Sequence, residues 1–262
     1  MTSSNTVPRL LQAFVLAAGL CALLAPATPA LAASSWEWSS GSKIVGSGKV
    51  QKQTRELDHF TALALSMHGS VELRLGNTER VTVETDDNMQ GEIETVVENG
   101  TLRIRPVKKN VNLSPTTLHL IVEAKNIDKL TIGGSGSITA AALRGADLTC
   151  DIGGSGSIDI EKLDNTQVRV SIGGSGRFHA GGGASENLNV SIGGSGRVDT
   201  GRLGARRVEI SIGGSGQAVV WARQSLNVNV AGSGGVDYYG DPDSLMKSLS
   251  GSGKVRRIGA AP

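Results

Sequence analysis

Three ionisable residues stand 20 positions apart: Asp159, His179 and Asp199. If each occupies the same place on successive turns of a stacked β-structure, the two carboxylates lie roughly 9–10 Å apart, two strand spacings, with an imidazole between them. That spacing is close to the one used for inverting glycoside hydrolysis, so these three are the catalytic candidates, with polysaccharide as the substrate class. The competing reading is a solvated column that alternates charge and so avoids like-charged neighbours. One aligned triplet among many outward positions favours the second reading. Arg177 and Arg197 share the spacing and place two like charges together, which suits contact with a polyanion. Arg202, Arg206 and Arg207 follow nearby.

The glycine-rich segments resemble ligand loops and fail each test. A calcium-binding repeat needs nine-residue units with an aspartate in phase. Here Asp159 stands one position late and the period is 20. A P-loop needs Gly-Lys followed by Ser or Thr, but Gly48-Lys49 and Gly253-Lys254 both precede valine. A dinucleotide fingerprint lies between a strand and a helix and does not recur in series. His59, His68 and His119 lack metal-ligand spacing. No cofactor or metal is expected.

The elements that must position these residues are set by a repeat. Ile-Gly-Gly-Ser-Gly begins at Ile132, Ile152, Ile172, Ile192 and Ile212, with degenerate copies at Val230 and Leu249. Intervals of 20 give way to 18 and then 19 at the last two. Before each corner apolar residues alternate with polar ones, as in Leu148, Cys150, Ile152 and Val168, Val170, Ile172. After it Ile138, Ile158, Phe178 and Val198 form a second column. Period two on both sides of a turn means two strands, each with one wet face. Twenty residues cannot bury such a face alone, so the coils must stack into an all-β parallel solenoid.

The corner glycines Gly134 and Gly136, Gly154 and Gly156, Gly174 and Gly176, Gly194 and Gly196, and Gly214 and Gly216 are read as structural. They suit positive φ or close backbone approach, and the serine hydroxyls can bond neighbouring backbone. Trp221 is out of phase with the inward Ala218 and Val220 and is expected on the surface.

The stretch 56–125 also alternates, with Asn99-Gly100 as a hairpin-type turn and His68-Gly69-Ser70 as a worn corner. It is expected to form wider, irregular coils that continue and cap the regular coils of 126–258. A separate small β-domain is the alternative.

Arg55-x-Leu57-x-x-Phe60, then His68-Gly69-Ser70-Val71, the serial Gly-Ser-Gly corners and the closing Tyr239-Gly240-Asp241-Pro242 resemble the head GIN domain family of bacterial exported proteins. The resemblance covers about Val45 to Val255. It implies a right-handed β-helix of pectin-lyase-like shape, no recognised catalytic set, and cell adhesion as the suggested role. The chain ends at Pro262, leaving no room after the last corner for a membrane barrel, so self-translocation is not carried over.

Arg9, the apolar run Leu10 to Leu24 and Ala30-Leu31-Ala32 form the three-part pattern of a signal peptide over residues 1–32, and residues 33–55 are an N-terminal extension. Export is expected, to the periplasm, the cell surface or the medium, with no transmembrane segment after cleavage. Removing the signal takes Arg9 and leaves a net charge of +1, against a nucleic-acid groove. It also leaves Cys150 alone, on an inward column, as a small buried hydrophobe. The expected partners are a cell-surface glycan or matrix protein. Gly46-Ser47-Gly48-Lys49-Val50 and Gly251-Ser252-Gly253-Lys254-Val255 are identical near the two ends, which raises self-association through solenoid edges. Trp36 and Trp38 could mark an interface or cover an end.

Overall fold

The computed structural model describes residues 43–109 and 111–262. The signal peptide, its cleavage site and Trp36-Glu37-Trp38 lie outside the described residues. The described residues form one compact unit, nearly all β, built around a solenoid of about seven turns.

The alternation in the sequence becomes strands with one dry face. In the strand Ser157–Ile172, Ile158, Ile160, Leu163, Val168, Val170 and Ile172 are buried, while Asp159, Lys162 and Arg169 are exposed. Successive coils pair in parallel at an offset of 20. Ile138 lies on Ile158 and Cys150 on Val170, then Val168 on Leu188 and Leu188 on Val208. Each inward column is therefore continuous, and the columns merge into one core. Cys150 is fully buried in it, and burial pushes its thiol well up. A third column, with Leu143, Leu163 and Leu203 buried and Gly183 between the last two, closes the interior at the bend opposite the glycine corner.

The glycine corners follow one rule. The amides of Gly173, Ser175 and Arg177 donate to the carbonyls of Ile152, Gly154 and Gly156 on the coil before, at 2.9, 3.1 and 3.0 Å. The second glycine of the pentapeptide then sits against its own counterpart: a Cβ on Gly214 would lie 2.6 Å from the carbonyl oxygen of Gly194. The last glycine sits against a side chain, since a Cβ on Gly196 would lie 2.6 Å from Cγ2 of Ile172. Of the two expected reasons for glycine, close approach is the one that operates. None of the ten regular corner glycines has positive φ; only Gly232 (135°) and Gly251 (123°), in the degenerate copies, do. Gly134 is the exception among the ten, because it stacks on Met67, where a Cβ would lie at an ordinary contact distance of 3.8 Å. Among the described residues the hydroxyls of Ser135, Ser155, Ser175, Ser195 and Ser215 make no bond to the backbone; the amides of Ser155, Ser175, Ser195 and Ser215 carry the ladder instead.

The N-terminal part departs from chain order. Ala62–Leu65 lies between Lys129–Ile132 and Thr101–Pro106, parallel to both. Ser70–Leu75 likewise lies between Ser137–Ile152 and Leu118–Ala124. The chain thus lays down an inner coil, moves outward to build the terminal one, and returns at Lys129 onto the first. His68-Gly69-Ser70 is a corner of that inner coil, and Ser137 N–H donates to the Gly69 carbonyl at 2.9 Å. Where wider, irregular coils were expected to continue and cap the solenoid, the structure has two parallel coils under an antiparallel cover. Arg80–Asp86 runs antiparallel on Leu118–Ala124, and Val50–Glu56 antiparallel on Arg80–Asp86. Ile93–Glu98 pairs with Thr101–Pro106 through the Asn99-Gly100 turn, whose φ values are 50° and 71°.

The cover is held by carboxylates. Arg74 draws Glu72, and Arg80 with Thr78 draws Glu123, below the ordinary carboxylate range. Burial opposes ionisation of Glu79 and Asp86, yet both also end below that range. His59 and Lys125 offset it at Glu79, and at Asp86 the amides of Thr116 and Gly48 do so at 2.7 and 2.8 Å. Folded values below unfolded ones mean stability that is present above the unfolded pKa and lost as pH falls through the folded values. All four groups lie between Glu72 and Glu123. Acidification below about pH 4 should therefore free residues 80–124 before the regular coils. Hydrogen exchange measured against pH checks this; earlier loss of protection at 140–230 would contradict it.

Candidate functional site

The outward residues after each corner form two columns. Asp159 pairs in register with His179, and His179 with Asp199, so the three do stack on successive coils. They occupy an open sheet face. Asp159 is exposed, and the side chains of His179 and Asp199 are 36% and 48% accessible, with His179 Nδ1 3.9 Å from Asp199 Oδ2. Asp199 Oδ1 accepts from the Gly201 amide at 3.2 Å. The column runs on through Thr139 at one end and Val219 and Asp237 at the other. Asp237 is closed by a two-bond ion pair with Arg256, at 2.9 and 3.0 Å. Such a column can exchange hydrogen bonds with a partner laid across it.

Arg177 and Arg197 stack directly in the neighbouring column. Arg197 donates to Gln217 Oε1 at 2.8 Å, and both arginines are exposed. The acidic column two residues further along each strand runs beside them, so this face carries both signs. Arg206 and Arg207 lie elsewhere, at the far bend, and reach Gln224, Glu186 and Asn187.

Before the corner the outward face is flat and polar. Ser171, Ser191, Ser211, Asn229 and Ser248 form one exposed column, adjoining Arg169, Asn189, Glu209 and Asn227. A serine column of this kind was already written in the 20-residue period. Trp221, expected on the surface, is half-buried. Coil shortening brings it into register with Gly204, where a Cβ would lie 3.2 Å from the indole ring. Among the described residues no group of three His, Cys, Asp or Glu side chains is placed to hold a metal ion.

This geometry, a glycine-cornered solenoid with polar faces, has a named counterpart. Residues 59–242 match the sequence model of a family described as "Putative auto-transporter adhesin, head GIN domain". The chain belongs to the head GIN domain family. Its fold is shared with a solved protein titled a putative adhesin from Bacteroides fragilis, with a TM-score of 0.78 at 22% identity, covering 82% of this chain and all of that one. A protein from Parabacteroides distasonis, titled a putative lipid binding protein, gives a TM-score of 0.69 at 26% identity, covering 83% of this chain and all of that one. A third, titled a putative adhesin from Parabacteroides merdae, gives 0.63 at 18%, with the same coverage. No curated protein matches the chain. The head GIN chain described here thus has the solenoid of these relatives, with its corners in the form Ile-Gly-Gly-Ser-Gly.

Proposed function

We propose that this head GIN protein is an exported, non-catalytic binding module of the cell envelope: a rigid solenoid that presents polar faces to a glycan or matrix protein. The observation that carries the reading is the ladder arrangement of its polar side chains. They repeat coil by coil along open faces, as recognition of an extended partner needs, and the Asp159, His179 and Asp199 column shares that layout. Family membership supports the same reading. Arg177 and Arg197 offer the contact for anionic groups on the post-corner face. The signal-peptide pattern in residues 1–32 supports export.

The test is a binding screen of the exported chain against glycans, matrix proteins and whole cells, run beside a depolymerisation assay on acidic polysaccharides. Binding without release of reducing ends is the expected result. An activity on polysaccharide that Asp159→Asn abolishes would overturn the proposal in favour of an enzyme.

A further inference from the structure

The far bend, opposite the glycine corner, is where the repeat breaks down. In the coils that begin at Ser137 and Ser157 this bend stacks in register, Leu143 on Leu163 and Gly145 on Asn165. The next coil replaces it with Gly181-Gly182-Gly183. There Gly183 takes φ 120° and lies directly against the carbonyl of Leu163. Two coils on, the bend is short by two residues, with register shifts between Thr200 and Gly204 and between Ala205 and Arg207. These departures leave a groove along the bend, lined by Asp164, Asn165, Glu186, Arg206, Arg223 and Asp243.

Asn165 in this groove is 3% exposed. Its Nδ2 donates to the Asp147 carbonyl at 3.3 Å, while its Oδ1 has no partner. Ser185, buried on the neighbouring coil, bonds two carbonyls, those of Thr166 and Asn187. Buried polar atoms are almost always satisfied, so an orphan acceptor in a groove points to a donor from outside. The groove's charged groups are partly free as well. Arg206 is engaged by Gln224 and Glu186. Arg223 and Asp243 have no ion-pair partner among the described residues.

We infer that this groove binds a neutral oligosaccharide lying along the solenoid axis. The inference rests on the binding-module reading above and names its ligand. Three carboxylates and two guanidiniums interleave acceptors and donors, which suits vicinal hydroxyls, each of which is both donor and acceptor. The mixed sign disfavours a polyanion. Ala184 and Gly204 are the only apolar residue types in its lining, and it lacks the aromatic or aliphatic pocket that anchors a peptide. It crosses five coils, about 19 Å at the ladder spacing, enough for a short run of sugar rings.

The test is saturation-transfer NMR and calorimetry on the exported chain. The probes are neutral hexasaccharides of glucose, mannose and N-acetylglucosamine, an acidic polysaccharide fragment and a mixed-charge peptide library. Arg223→Ala with Asp243→Ala, both on the exposed rim, should weaken hexasaccharide binding at least roughly tenfold. Lys52→Ala, on the antiparallel cover away from the groove, should leave it unchanged. Asn165→Ala should weaken it too, and a thermal unfolding curve separates that loss from misfolding. Hexasaccharide binding that survives the rim variants overturns the groove and leaves the binding module standing. So does a wild-type chain that adheres to cells or matrix but ignores every hexasaccharide. Peptide binding at the groove overturns the ligand class. A chain that adheres to nothing in the wider screen sinks the parent reading separately.

Discussion

Alanine at Gly174 should lower stability by about 3 kcal/mol, while alanine at Gly173, one residue earlier, should leave it within ~0.5 kcal/mol of wild type. The two glycines look identical in the sequence. In the structure a Cβ on Gly174 would overlap the carbonyl oxygen of Gly154, whereas a Cβ on Gly173 meets nothing within 4 Å. The obstacle at Gly174 is backbone, and that backbone is fixed by the amide of Ser175 donating to it. It cannot move aside without stretching the ladder above and below, and in a solenoid each coil is stabilised mainly through its neighbours. At Gly173 the only change is reduced freedom of the unfolded chain, which favours alanine slightly. The molecule already contains the control. Ala231 and Ser250 occupy the first-glycine position in the two degenerate corners, while Gly232, Gly234, Gly251 and Gly253 keep the other two. Thermal unfolding checks the pair. A chain this size should lose roughly 6–12 °C at Gly174→Ala and hold its midpoint at Gly173→Ala. Equal effects at the two positions would refute the close-approach account.

That contrast shows where sequence reading stops. The period of 20 and the alternation around it fix the parallel stack, because side-chain direction in a strand is a matter of parity. They place Asp159, His179 and Asp199 on one column for the same reason. Parity says nothing about which of two adjacent glycines touches the next coil. It is also silent on Leu143 and Leu163, which lie at a bend where alternation lapses. The out-of-order coils of the N-terminal part were hidden more deeply. The strand Ala62–Leu65 pairs with Thr101–Pro106 on one side and Lys129–Ile132 on the other, and short alternating segments carry no label for their neighbours. The groove did leave a trace: the interval of 18 between Gly214 and Gly232 and the run Gly181-Gly182-Gly183 both mark it. A break in a strict repeat is informative because its neighbours define what should have been there.

The second large effect belongs to the open end. Replacing Lys247 and Arg257 together with leucine should raise self-association roughly tenfold or more, about 1.4 kcal/mol or above, in sedimentation at matched concentration. Among the described residues the last coil, Ser244–Gly251 and Lys254–Gly259, pairs on one side only, with Ser225 to Gly232 and with Gly235 to Tyr239. Its inward columns carry Leu245, Leu249 and Val255, as the pattern demands, but also Lys247 over Val228 and Arg257 over Tyr238. Lys247 Nζ lies 5.7 Å from the centre of the Tyr238 ring, and Arg257 Nε donates to the Gly240 carbonyl at 2.7 Å. Both side chains lie exposed at the open end, with Asp241 3.6 Å from Arg257. A second solenoid docking end to end would have to bury those charges, which is how natural edge strands resist pairing. With leucine in both places the end becomes a continuous apolar surface, with Leu245 39% and Leu249 46% exposed, beside a long unpaired strand edge. Lys247→Arg with Arg257→Lys keeps both charges and should sediment as wild type does. If the double leucine variant also sediments unchanged, the charges do not guard this end. The identical Gly-Ser-Gly-Lys-Val segments would then differ only by position: Val50 lies within the antiparallel cover, and Val255 lies on the last open coil.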